Sequence, residues 1–80
     1  MNRQEITMKL QGVFREVFDD ESIEITESMS ANDLEAWDSL NHVRLVVSAE
    51  EEFNITLSTT DVADLQNVGQ LIDLIEKQAA

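Results

Sequence analysis

The chain contains no cysteine, which excludes disulfides, thiolate catalysis and zinc–sulfur sites. Proline is also absent and glycine occurs only twice, as suits a helical protein with few forced turns. No apolar run is longer than Leu45-Val46-Val47, far short of the ~20 residues a membrane-spanning helix needs. Arg3, Glu5 and Lys9 interrupt any signal-peptide core near the N-terminus. Basic residues are scarce, five against seventeen acidic ones, for a formal charge of −12. Such a surface repels phosphate backbones and anionic membranes. Nucleic acid and membrane are therefore not expected as partners, whereas a protein with a basic surface is. The expectation is a cytoplasmic, monomeric domain spanning residues 1–80. A chain of this size hides only about 60–65% of its unfolded surface, so its core is modest.

What is present is helical periodicity. Asn2 and Glu5 can form a capping box, and Ile6, Leu10, Val13, Phe14 and Val17 follow at helical spacing. Asp19-Asp20 marks the end of this first helix. Residues 19–38 form a long polar connection, with Ile23, Ile25, Met29 and Leu34 scattered through it. Loops of this length are uncommon in compact domains and are often functional or packed by their own side chains. The alternation at Ile23 and Ile25 has no convincing partner strand, so the segment reads as a loop pinned to the core. A second helix begins at Asp38 or Ser39 and runs to Phe53, where Asn54 can stop it in a left-handed conformation. Ser58 with Asp61 starts a short third helix holding Val62 and Leu65. Asn67 with Gln70 caps a fourth, whose apolar stripe is Val68, Leu71, Ile72 and Ile75. The expected fold is all-α, a four-helix bundle with a long first loop and a short third helix.

Wound at about 100° per residue, the second helix carries two apolar stripes. Leu45, Val46, Ala49 and Phe53 form the richer one, with His42 at its upper end, and should face the core. Leu40, Val43 and Val47 form the other, interleaved with Arg44, Glu50 and Glu51 and topped by Ser39. An exposed apolar patch rimmed by charge is characteristic of an interaction site, although three scattered surface aliphatics can also be incidental.

Three chemistries are open to Ser39. One of Asp38 and Ser39 must cap the helix. A hydrolase nucleophile would need a base, and the sole histidine, His42, leans toward the core stripe with no oxyanion hole or strand-turn-helix elbow before the serine. His42 reads better as a half-buried structural residue bonding to the long loop. No metal site is expected either: Asp19-Asp20-Glu21 lacks the alternating ligands and central glycine of a calcium loop. The third possibility is covalent attachment.

The stretch Asp38-Ser39-Leu40 opening the second helix resembles the acyl carrier protein family, the phosphopantetheine-binding four-helix domains. The resemblance covers nearly the whole chain. It takes in Phe14 and Val17, the Glu50-Glu51-Glu52-Phe53 ending, Leu57, Val62, Leu65 and the Asn67-Val68-Gly69 entry to the last helix. It implies a carrier, not an enzyme, whose Ser39 receives 4′-phosphopantetheine from coenzyme A through a phosphopantetheinyl transferase, with Asp38 as part of the motif. The arm would bring the thiol that the chain lacks, to hold an acyl or aminoacyl thioester for loading and processing enzymes. Docking to partners is then expected through the exposed stripe that the winding defines, Leu40, Val43, Arg44, Val47, Glu50 and Glu51. The resemblance also implies a cargo pocket lined by Val46, Ala49, Leu57, Val62 and Leu65.

Two departures stand out. Many relatives have glycine and a small residue before Asp-Ser-Leu, where this chain has Ala36-Trp37. Trp37 anchors the loop or marks a specialised subgroup. Fatty-acid-synthesis carriers usually place acids at the positions held here by Asn41 and Arg44. This favours a dedicated carrier of one pathway over the housekeeping carrier. The alternative is an arm-less relative that uses the fold only as a protein-binding module, a reading that the intact Asp38-Ser39-Leu40 disfavours.

Overall fold

The computed structural model describes residues 2–79; Met1 and Ala80, the ends of the expected domain, lie outside the described residues. It has four helices, α1 (Arg3–Val17), α2 (Ser39–Phe53), α3 (Thr59–Ala63) and α4 (Val68–Ala79), and no strand among the described residues. This is the architecture expected from the periodicity.

Helix α1 starts where Asn2 Oδ1 accepts the Glu5 backbone N–H at 2.8 Å. It buries Ile6, Leu10, Val13, Phe14 and Val17. It ends before Asp19, whose φ of 51° lies in the left-handed region that aspartate tolerates. Because α1 packs against both α2 and α4, its apolar stripe is the spine of the core.

The long connection, residues 19–38, is held by side chains in place of a partner strand. Ile23 and Ile25 are buried. Between them Arg15 Nε donates to the Ile23 carbonyl at 2.8 Å, and Gln11 Oε1 accepts the Ile25 N–H at 3.0 Å. Helix α1 thus satisfies backbone groups that a strand neighbour would otherwise satisfy. Farther along, the carbonyls of Met29 and Glu27 accept the N–H groups of Val68 and Gly69, each at 2.8 Å. The loop thereby supplies partners for the otherwise unsatisfied first turn of α4. This contact explains the glycine: a Cβ at Gly69 would lie 3.0 Å from the Glu27 carbonyl oxygen. Arg3 fastens the same corner, reaching Glu27 at 2.7 Å and Asp73 at 2.6 Å.

Helix α3 is shorter than its sequence pattern suggested. It ends at Ala63, so Leu65 lies beyond it, half-buried. The Asp64 N–H turns back to the Thr60 and Val62 carbonyls, and the Leu65 N–H also bonds the Val62 carbonyl, at 3.3 Å. One turn of helix carries little cooperative stability of its own, and α3 buries no residue completely.

Candidate functional site

Asp38, not Ser39, caps α2. Its carboxylate accepts the Asn41 N–H at 2.9 Å, and its carbonyl accepts that of His42 at 2.8 Å. Asn41 Nδ2 also donates to the Ala36 carbonyl at 2.7 Å, which ties the incoming chain to the first turn. Ser39, relieved of the capping role, is exposed as the first residue of a 15-residue helix. Its hydroxyl sits where the helix dipole favours an anionic substituent.

The two faces of α2 separate as their spacing requires. Leu45, Val46, Ala49 and Phe53 are buried. Leu40, Val43 and Val47 are 70%, 59% and 47% exposed, too much for a stripe that serves this domain's own core. Arg44 and Glu51 are exposed beside them, and Arg44 Nη1 reaches Asn41 Oδ1 at 3.4 Å. Glu50, grouped by spacing with the docking face, is half-buried. Its Oε2 accepts the Leu57 N–H at 2.8 Å, so this carboxylate holds the α2–α3 connection.

His42 and Trp37 form a pair next to Ser39. The buried indole of Trp37 meets Phe14 edge-on, with ring centroids 5.3 Å apart. It lies nearly parallel to the His42 imidazole, at 20°. Trp37 Nε1 donates to His42 Nδ1 at 3.0 Å, and His42 Nε2 contacts the Val62 carbonyl at 3.3 Å. An indole N–H can only donate and a carbonyl can only accept, so the imidazole is the Nε2–H tautomer. Both ring nitrogens are occupied, leaving no general base for Ser39 and no hydrolase triad. Among the described residues no group of three or more histidine or acidic side chains is arranged to hold a metal ion.

One groove adjoins this pair and a second lies farther along α2. One, of about 470 Å³, adjoins Ser39 and is lined by Ala31, Trp37, Asp38, His42, Ala63 and Leu65. The other, of about 200 Å³, runs between α2 and the start of α3, where it meets Val43, Val46, Val47, Leu57 and Val62. The five residues assigned by position to a cargo pocket are therefore divided. Val46, Leu57 and Val62 come together in the second groove, whereas Leu65 belongs to the first. Ala49 is fully buried and lines neither. Ala31 and Ala63 carried no sequence signal. Trp37 and His42 stood out as the sole residues of their kinds, but their mutual hydrogen bond depends on the path of the loop.

Residues 9–75 match the family model described as "Phosphopantetheine attachment site". An acyl carrier protein of Guillardia theta is 37% identical over 81 aligned residues, covering 100% of this chain and 99% of that protein. One from Porphyromonas gingivalis is 41% identical over 58 residues, covering 71% and 73% respectively. The solution NMR structure of the holo acyl carrier protein of Geobacter metallireducens superimposes with a TM-score of 0.84 at 46% identity, covering 90% of this chain and 83% of that one. An exposed Ser39 in the Asp-Ser-Leu position, on this fold and with these relatives, places the chain in the acyl carrier protein family.

Proposed function

We propose that the chain is a discrete carrier that holds an acyl group as a thioester on a 4′-phosphopantetheine arm attached to Ser39, and that it serves one dedicated pathway. Members of this family are carriers, not enzymes. They bear the arm covalently, and they work with phosphopantetheinyl transferases and acyl-processing enzymes. The observation that carries the assignment to Ser39 is its exposure at the first position of α2 while Asp38 does the capping. A serine used as the cap would have its oxygen committed to backbone N–H groups. Here the oxygen is accessible, and the first turn of α2 offers a favourable site for the phosphodiester. In the modification the Ser39 oxygen would form a new P–O bond to the phosphopantetheine phosphorus as the pyrophosphate bond of coenzyme A breaks, with adenosine 3′,5′-bisphosphate as the leaving group and the hydroxyl proton given up to solvent or the transferase. The arm, when bound, supplies the terminal thiol for thioester chemistry, which a chain without cysteine cannot supply itself.

Arg44 supports the dedicated pathway. The helical neighbours of Arg44 at three and four residues are Leu40, Asn41, Val47 and Ser48, none of them acidic, so its charge is not cancelled along the helix. A cation within an exposed aliphatic stripe disfavours a basic docking surface and favours a partner with an acidic or polar group at that point.

Intact mass after incubation with coenzyme A and a broad-specificity transferase tests the assignment. Wild type should gain one arm and one titratable thiol, and Ser39→Ala should gain neither. A wild type that stays unmodified would overturn the carrier reading.

A further inference from the structure

Ser39 stands between two side-chain struts. Asn41 Nδ2 donates to the Ala36 carbonyl at 2.7 Å, and Trp37 Nε1 donates to His42 Nδ1 at 3.0 Å. Each bond joins residues five apart, and each spans the junction where the long loop becomes α2, with Ser39 inside it. We infer that Trp37, His42 and Asn41 are positioning residues for the modification of Ser39, bracing this junction so that the serine oxygen is presented in one place. The inference rests on the carrier reading, because only a chain that receives the arm needs Ser39 presented to a transferase.

The need for a brace follows from where Ser39 sits. The first residue of a helix is held by little more than its cap, and helix ends fray. A transferase must bring the Ser39 oxygen to phosphorus along one line of approach, and a small misplacement of a reacting atom costs rate. The two struts differ in strength. The Trp37–His42 strut is grounded in other elements: the indole is buried edge-on against Phe14 of α1, and His42 Nε2 reaches the Val62 carbonyl of α3 at 3.3 Å. The Asn41–Ala36 bond lies at the surface, where water competes for both groups. The first strut is therefore the main one. Trp37 and Asn41 occupy two of the positions at which the sequence departs from many members of the family, and the brace gives both departures a role. These residues act through the placement of Ser39. Their replacement leaves the exposed stripe of Leu40, Val43 and Val47 intact, so the loss falls on the transfer step and not on docking.

Single-turnover transfer with a broad-specificity transferase, its coenzyme A complex limiting and the full chain varied in excess, tests this. Trp37→Phe keeps a buried ring and removes the donor, and His42→Ala removes the acceptor. Each should lower the saturating rate several-fold with the half-saturating chain concentration unchanged. Because both substitutions break one bond, the double variant should be no slower than the slower single one. Asn41→Ala should give a smaller loss of the same kind. Asn41 is no part of the core, so this variant keeps the test decisive if a substitution at Trp37 or His42 unfolds the chain. Partial unfolding alone supplies less competent substrate, which raises the half-saturating concentration and leaves the saturating rate unchanged. That pattern in all the variants, or rates equal to wild type, overturns the positioning role.

Proton exchange at the Trp37 indole separates the brace from the carrier reading. It should be slow in wild type and fast in His42→Ala. A wild type that takes the arm while its indole proton exchanges freely overturns the brace alone. A wild type that takes no arm overturns the carrier reading, and the positioning role with it.

Discussion

The carboxylate of Glu50 accepts the backbone N–H of Leu57 at 2.8 Å, bridging the connection in which Asn54, at φ 53°, ends α2. An acid that helical winding placed on the docking face is therefore also a fastening of the fold. A hydrogen bond to a charged acceptor contributes about 1.5–3 kcal/mol, so Glu50→Ala should lower unfolding stability by roughly 1–2 kcal/mol after partial compensation by water. Glu50→Gln retains an acceptor and should cost less. Urea denaturation of both variants measures this. Equal, negligible losses would mean that this bond does not fasten the connection.

Gly12 lies exposed inside α1, and an added Cβ would meet nothing within 4 Å. Glycine in a helix interior costs about 0.5–1 kcal/mol relative to alanine. Gly12→Ala should stabilise the chain by that amount, with a higher denaturation midpoint and an unchanged slope. A loss of stability would mean that α1 needs its backbone freedom at this point.

Arg3 joins α1 to both the long loop and α4 through Glu27 and Asp73. The Arg3 side chain, by hydrogen bond first and charge second, holds the Glu27 carboxyl below the usual glutamate range. The folded state thus keeps Glu27 ionised to lower pH than the unfolded chain does. Its contribution to stability is complete above the ordinary value of about 4.3 and is lost as pH falls through the depressed one. Arg3→Met should therefore lower the melting temperature at neutral pH, and the two melting curves should draw together as the solution is acidified below that range. A difference that is constant with pH would indicate lost packing of the arginine stem instead.

Arg44 sits between Val43 and Val47 on the exposed face of α2. Arg44→Glu should strengthen binding to a generic fatty-acid-synthesis enzyme and weaken binding to the native partner. Leu40→Ala and Val47→Ala should weaken both, by about 1 kcal/mol or more if these aliphatics are the anchors. Paired binding assays at fixed low salt distinguish these effects. Movement of both partners in one direction on Arg44→Glu would make Arg44 a solvated side chain without selectivity.

Sequence alone determined the helices, because the information is local. Caps such as Asn2 and Ser58 act within three residues, and the spacing of Ile6, Leu10, Val13, Phe14 and Val17 specifies a buried face without reference to the rest of the chain. The Asp38-Ser39-Leu40 motif and the second apolar stripe of α2 were legible for the same reason: both are short-range patterns on one helix. The capping role of Asp38, the alternative that spacing left open, took the backbone path to decide. So did the early end of α3, which turns on the Asp64 and Leu65 N–H groups folding back onto Thr60 and Val62. The strand-like alternation of Ile23 and Ile25 found its partners in Gln11 and Arg15 side chains, which no pattern of strand residues signals. Only the tertiary structure bonded Glu50 to the Leu57 N–H, separated Leu65 from Val62 into different grooves, and joined Trp37, His42 and the Val62 carbonyl. These contacts link residues from separate elements through a loop of irregular backbone, and their geometry depends on how that loop crosses the core.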